Sequence, residues 1–167
     1  MGFNGTKEQL FKRTKQEVQE LGFTIIDQDG QRPWGGFFVI DEEQAADFAK
    51  HYFGDIDIDD LKVAGKLSPK ILVVQPGKRL SWQYHHRRAE IWKVVEGPVG
   101  VITSDTDEQG EVETLQPEEF ITLKQGERHR LVGLDDWAIL AEIWQHTDPE
   151  NPSDEDDIVR VQDDFGR

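Results

Sequence analysis

The sequence predicts a mainly β domain, a sandwich or barrel, with two helical additions at its N-terminal end. Three observations predict it. The chain has 167 residues, which suits one compact core with a modest extension. Helical periodicity is confined to the region before Gly54. From Lys70 onward, strand-like runs follow one another at Lys70–Gln75, Glu90–Glu96, Val99–Thr103, Glu111–Leu115, Phe120–Leu123, His129–Val132 and Trp137–Trp144. Turn chemistry separates them at Pro76-Gly77, Gly97-Pro98, Asp105 to Gly110, Gln116-Pro117, Gln125-Gly126 and Asp135-Asp136. Short strands at such spacing, with turn residues between them, indicate stacked or closed sheets.

The elements before Gly54 read in order. Thr6 to Leu21 forms a helix, with Thr6 and Gln9 as its capping pair and Gly22 at its end. Leu10, Phe11, Thr14, Val18 and Leu21 share one stripe, which packs the helix on the domain. Phe23 to Asp27 is a short strand, and Asp27-Gln28-Asp29-Gly30 is turn chemistry. Gly36 to Ile40 is a second strand. Asp41 caps a second helix that Gly54 closes. The acidic run DIDIDDL that follows lacks the ligand spacing of a calcium loop and reads as an edge strand or an exposed loop. An acidic tail from His146 ends in the strand-like Ile158 to Val161. This gives an extension over residues 1–30 and a main domain over 31–167, with a helical insert at about 41–68.

The chain has no cysteine, which excludes disulfides, thiolate nucleophiles and Cys-bound zinc and fits a reducing cytoplasm. No apolar run approaches the roughly 20 residues of a membrane helix, and the first residues carry no apolar secretory segment. A net charge of −15 argues against nucleic acid and anionic membranes as partners. One stretch departs from that balance. From Leu61 to Ala89 there is no Asp or Glu, while Lys62, Lys66, Lys70, Lys78, Arg79, Arg87 and Arg88 all fall there. Such an island fits a pocket for a small anion, and equally a solvated basic face.

The candidate chemistry lies beside this island. Gln83 and His85 are two apart, so on an extended strand they share a face. If the next strand folds back antiparallel across Arg87-Arg88-Ala89, Glu90 returns to the same interior. A third strand brings His129. Two imidazoles, a carboxylate and an amide oxygen suit a divalent ion with open positions. The same residues also fit a set of surface groups beside a hairpin, and spacing alone leaves both readings open.

A family resemblance adds to this. Gly77 to Gly97 reads G-x5-Q-x-H-x4-E-x6-G and resembles the first cupin motif, with Gln83 in place of its first His. Lys124 to Gly133 reads K-x-G-x2-H-x3-G and resembles the second, with Lys124 and Gly133 departing from its Pro and Asn. The Gln resembles the metal set of phosphomannose isomerases. Arg32-Pro33-Trp34-Gly35, Lys70, the run His85-His86-Arg87-Arg88-Ala89-Glu90 and the end from Asp156 to Arg167 resemble the isomerase domain of the type II enzymes, over residues 31–40 and 69–167. Bifunctional members carry a nucleotidyltransferase domain in front, for which this chain has neither the length nor a Gly-rich signature.

The resemblance implies a cupin-type double-stranded β-helix, a jelly-roll barrel. It implies one divalent metal on Gln83, His85, Glu90 and His129, with zinc first and cobalt, manganese, nickel or iron as other occupants. It implies interconversion of mannose 6-phosphate and fructose 6-phosphate, with Arg88 and Lys70 as catalytic basic residues. Lys70, His86, Arg88 and Trp34 would contact the sugar phosphate, and strand-edge pairing would give a homodimer. Regular alternation would instead turn His86 and Arg87 to solvent, and Trp34, Trp82 and Trp92 fit either a sugar-stacking wall or a packed core. Other readings stay open: an iron oxygenase, against which Gln83 argues, a non-catalytic sugar-binding or regulatory cupin, or a metal cupin acting on another sugar phosphate.

Overall fold

The computed structural model describes residues 3–54 and 66–166; the acidic run from Asp55 and Lys62 lie outside them. Helix α1 spans Lys7–Glu20. The Thr6 hydroxyl accepts from the Gln9 amide at 3.1 Å, and the Gln9 side chain accepts from the Thr6 amide at 2.8 Å. That reciprocal pair satisfies two donors that a helix start leaves without intrahelical partners. Leu10, Thr14 and Val18 recur every four residues and are buried, which docks the helix by one stripe. Asp41 caps a short 3-10 turn at Glu42–Gln44, and helix α2 follows at Ala45–Phe53.

The strands are β1 (Ile25–Arg32), β2 (Gly35–Ile40), β3 (Lys70–Val74), β4 (Trp82–Tyr84), β5 (Arg88–Glu96), β6 (Val99–Ser104), β7 (Glu113–Leu115), β8 (Phe120–Leu123), β9 (Arg128–Val132), β10 (Ala138–His146) and β11 (Val159–Gln162). They form a six-stranded sheet in the order β1-β2-β3-β10-β5-β8 and a five-stranded sheet in the order β11-β4-β9-β6-β7. Every pairing is antiparallel. This is the expected cupin-type architecture, two facing sheets with two N-terminal helices.

Side-chain alternation builds three layers. Ile71 and Val73 of β3 and Ile139, Ala141 and Ile143 of β10 join Leu10, Val18 and Phe48 in one apolar core, beneath the helices. Their neighbours Leu72, Val74, Ala138 and Leu140 point the other way and meet Val99, Val101 and Leu131 between the sheets. Among the described residues, no helix is long and apolar enough to cross a membrane.

Two local expectations are corrected. Asp27 to Gly30 is not a turn. It lies inside β1, which pairs with β2 through Gln28↔Phe38 and Asp29↔Phe37, and the chain reverses at Pro33-Trp34. Turn-forming residues are tolerated because β1 is a mostly exposed edge strand with two register shifts, and Asp29 accepts from the amide of Gln31. The second correction concerns Glu90. Its strand does not fold back on the strand of Gln83: β4 lies in the five-stranded sheet and β5 in the six-stranded one. The chain crosses between sheets at His85 to Arg87, so Glu90 faces the histidines across the sandwich.

Candidate metal centre

Register sets the first half of the site. Gln83 on β4 lies directly opposite His129 on β9, so both side chains leave the same face of the five-stranded sheet. His85 follows two residues later. Its backbone carbonyl accepts from the Gly126 amide at 3.0 Å, which ties it to the turn before β9. From the opposite sheet, β5 supplies Glu90. His85, Glu90 and His129 are buried, and one ligand atom of each lies within 4.8 Å of the others.

The hydrogen bonds of the two histidines fix their tautomers. His85 Nδ1 is 2.7 Å from the Asp157 carbonyl and His129 Nδ1 is 3.2 Å from the Glu127 carbonyl. A carbonyl only accepts, so each Nδ1 carries a proton, and in the neutral imidazole each Nε2 presents a lone pair. Those lone pairs face Glu90 Oε1 at 3.5 Å and 3.1 Å. His129 Nε2 is buried without a hydrogen-bond partner. Arg88 Nη2 approaches His85 Nε2 at 3.3 Å. Three ligand atoms thus converge in a buried place, and a divalent cation would satisfy His129 Nε2, which no hydrogen bond does. Burial lowers the His85 imidazole against the pull of Glu90, which favours the neutral, ligating form. Burial alone would raise Glu90, but His85 and Arg88 beside it hold the carboxyl well below its ordinary value.

Gln83 is poised rather than engaged. Its Nε2 lies 3.3 Å from His85 Nε2, and its Oε1 accepts from Ser81 Oγ at 2.5 Å. A half-turn of the amide brings the carbonyl oxygen to the site, and the hydroxyl of Ser81 then accepts from the amide nitrogen instead. The residues present therefore fit a metal ion.

A cavity of about 100 Å³, open to solvent, adjoins this cluster. Gln83, Glu90, Lys70, Arg88 and Trp34 line it. His86 does not: Asp157 binds its backbone amide, and its ring is exposed against Tyr84. The structure thus does not bring His86 to the cavity. Trp82 also stands apart, buried, with its indole donating to the Asp107 carbonyl.

Sequence reasoning missed three residues. Glu142 and Trp144 on β10 line the cavity. The indoles of Trp92 and Trp144 each donate to one oxygen of Glu142 at 2.8 Å. Burial, then Glu90, push the Glu142 carboxyl upward against Lys70 and Arg88. An isolated acid within the apolar run Ala138 to Trp144 was the available signal. Asp157 is the third. Its carboxylate accepts from the amides of His86 and Arg87 and from Ser153 Oγ. Burial would raise it, but these bonds hold it down, at about 2.

Arg88 is committed to the protein. It donates to Glu90 at 3.2 Å and to Ser153 Oγ and the Asp154 carbonyl at 2.9 Å, and its guanidinium lies 3.6 Å from the Trp144 ring centre. Lys70 pairs with Glu155 and lies over the Trp144 ring at 4.4 Å. Burial pushes its ammonium below the usual value, although Glu142 opposes this. Gly133, a departure from the second motif, has a steric reason: a Cβ there would meet the Gln75 carbonyl at 2.1 Å.

The model of the family described as "Mannose-6-phosphate isomerase C-terminal" matches residues 49–163, more than half of the chain. The mannose-1-phosphate guanylyltransferase ManC of Salmonella typhimurium is 35% identical over 114 residues, covering 65% of this chain and 21% of that protein. The xanthan biosynthesis protein XanB of Xanthomonas campestris is 31% identical over 137 residues, covering 81% and 23%. The alginate biosynthesis protein AlgA of Pseudomonas aeruginosa is 30% identical over 112 residues, covering 60% and 19%. The chain thus spans about a fifth of the length of these relatives. Among solved structures, the capsular polysaccharide assembling protein CapF of Staphylococcus aureus shares the fold, with a TM-score of 0.53 at 14% identity over 84% of this chain and 34% of that one.

These comparisons correct the expected activity. The chain resembles an isomerase in its motifs, but the relatives carry the names of a guanylyltransferase and of alginate and xanthan biosynthesis proteins. The word isomerase appears in the family's description, not in those names. Arg88 and Lys70, the expected catalytic basic residues, are both held in ion pairs.

Proposed function

Given that the chain belongs to the mannose-6-phosphate isomerase C-terminal family, we propose that its inter-sheet cavity is a metal-centred binding site for a phosphorylated sugar. Gln83, His85, Glu90 and His129 hold one divalent ion, with zinc first among the candidates. When bound, that ion supplies a positive centre for sugar oxygens. Lys70 receives the anionic group, Arg88 braces Glu90, and Trp34, Trp92 and Trp144 offer apolar ring surface to the sugar. The observation that carries the reading is the convergence of two Nε2 lone pairs on Glu90 Oε1, beside a cavity that contains a buried lysine.

Two measurements test it. Elemental analysis after exposure to zinc, cobalt, manganese, nickel or iron should find one ion per chain in the wild type and none in His129→Ala. Mannose 6-phosphate and mannose 1-phosphate are then titrated calorimetrically into metal-loaded and chelator-treated protein. Binding of either sugar that vanishes with the metal supports the reading. Failure to retain any of the five metals, or binding indifferent to chelation, removes the metal-centred part of it.

A further inference from the structure

Among the described residues, four groups of the basic island, Lys70, Arg79, Arg87 and Arg88, are paired with acids. The acidic tail folds onto the island. Asp164 pairs with Arg79 at 2.7 Å, Asp154 lies 3.6 Å from Arg87, and Glu155 meets Lys70. The last pair is unequal. The Lys70 side chain is 8% exposed and Glu155 is 67% exposed. The ammonium sits 4.4 Å from the Trp144 ring centre and 5.4 Å from that of Phe37. Ring faces attract a cation but accept no strong hydrogen bond; Glu142 and Glu90 act on the ammonium through charge, and the carboxylate that meets it directly is Glu155.

The loop that supplies the anion is pinned on both sides of Glu155. The Ser153 amide donates to His146 Nδ1 at 2.9 Å, and the Asp157 carboxylate binds the amides of His86 and Arg87 at 2.9 Å. Glu155 projects between these anchors into the cavity mouth, where it and Lys70 are both lining residues.

We propose that Glu155 is a built-in competitor: its carboxylate occupies the anion position beside Lys70, and a phosphate group enters only by displacing it. The proposal rests on the sugar-phosphate reading for its ligand class, but the displacement itself concerns a phosphate and a carboxylate exchanging on one ammonium. The pinned loop keeps the displaced carboxylate close, so the site recloses when the ligand leaves. Binding is thereby weakened by the strength of one half-exposed ion pair.

The test follows Lys70 directly. Wild type, Glu155→Gln and Glu150→Gln are treated with acetic anhydride, and acetylation of Lys70 is read by peptide mass spectrometry at rising inorganic phosphate. Glu150 is an exposed acid of the same loop and controls for net charge. Glu155→Gln should acetylate faster at Lys70, and phosphate should protect it at about two- to fivefold lower concentration than the wild type, the range such an ion pair is worth. Glu150→Gln should match the wild type. Equal protection in all three proteins, or the same gain in both variants, overturns the competitor. Mannose 6-phosphate forms a separate arm. If it protects no better than inorganic phosphate, the sugar-phosphate reading fails while the Glu155 result stands on the phosphate arm.

Discussion

The space between the two sheets has two ends, and the same three strands build both. At one end Leu140 of β10 lies opposite Leu72 of β3 and Val94 of β5. Two residues further along β10, Glu142 lies opposite Lys70 and Trp92. About 7 Å of strand separates these rows, and the backbone pairing is the same. Only the side chains change, from a dry apolar core to a cluster of charges beside a cavity. The polar end is tolerable because its groups are partnered: Glu142 by two indoles, Arg88 by Glu90 and Ser153, Lys70 by Glu155. The apolar end has no such partners to offer, so charge is a matter of position rather than of depth.

The sharpest way to break that comparison is to move a carboxylate by two residues. Leu140→Asp places it among Leu72, Val94 and Val101, with no donor. The expected loss exceeds about 4 kcal/mol, the range of an unpaired buried charge, read as collapse of the urea midpoint. A loss below about 1 kcal/mol would show that the apolar end admits water or finds a partner, and the contrast between the ends would be gone.

How much of this contrast was legible in the sequence follows from the same strands. The alternation of Gln83 and His85, and the return of Glu90 and His129, were readable because period and spacing are local. That Glu90 arrives from the other sheet was not, since the linker Arg87-Arg88-Ala89 fits a hairpin as well as a crossover. Charge complementarity between the tail and the basic island was present in the composition. Which acid meets which base depends on the register of β11 with β4, and no local pattern encodes that. Edge strand β1 was misread because Asp and Gly signal turns in isolation, while bulged pairing with β2 overrides the signal.

The polar end has its own weakness toward acid. His146 is fully buried, accepts from the Ser153 amide and lies 3.1 Å from Ser68 Oγ. Burial, then Lys66 and Arg88, lower its imidazole to about 4, with Asp157 pulling the other way. A folded-state value below the unfolded one of about 6.5 means that protonation favours the unfolded chain. The stabilisation is complete above about pH 6.5 and is lost as pH falls through about 4, by about 3 kcal/mol in all. Urea unfolding at pH 7 and pH 4 should show that decline in the wild type and a reduced one in His146→Gln. An identical decline in both would assign the acid sensitivity to another group; Asp157, held at about 2, loses its own stabilisation only below about pH 4.

A metal ion would add stability at the polar end alone. At a hundredfold excess over its Kd, a ligand that binds only the folded chain adds about 2.7 kcal/mol. The wild type should gain thermal stability on zinc addition, and His129→Ala should gain none, because the Nε2 facing Glu90 is removed. Leu131→Ala, at the apolar end of the same strand β9, should keep the full zinc increment on a lowered baseline. Equal increments in wild type and His129→Ala would place the binding ion at some other group.

The smallest expected effect tests how finely the polar end is set. Ser81 is buried and touches Gln83, not the histidines. Removing its hydroxyl leaves the fold and both imidazoles in place but releases the amide of Gln83, which must present oxygen to act as a ligand. Partners that orient a ligand in this way are worth about tenfold or more in metal affinity. Ser81→Ala should therefore weaken zinc by about tenfold, measured by competition with a chromophoric chelator, with an unchanged unfolding midpoint in the metal-free protein. Ser81→Thr, which keeps the hydroxyl, should restore most of it. If Ser81→Ala binds zinc as the wild type does, Gln83 is a lining residue and the centre is held by His85, Glu90 and His129 alone.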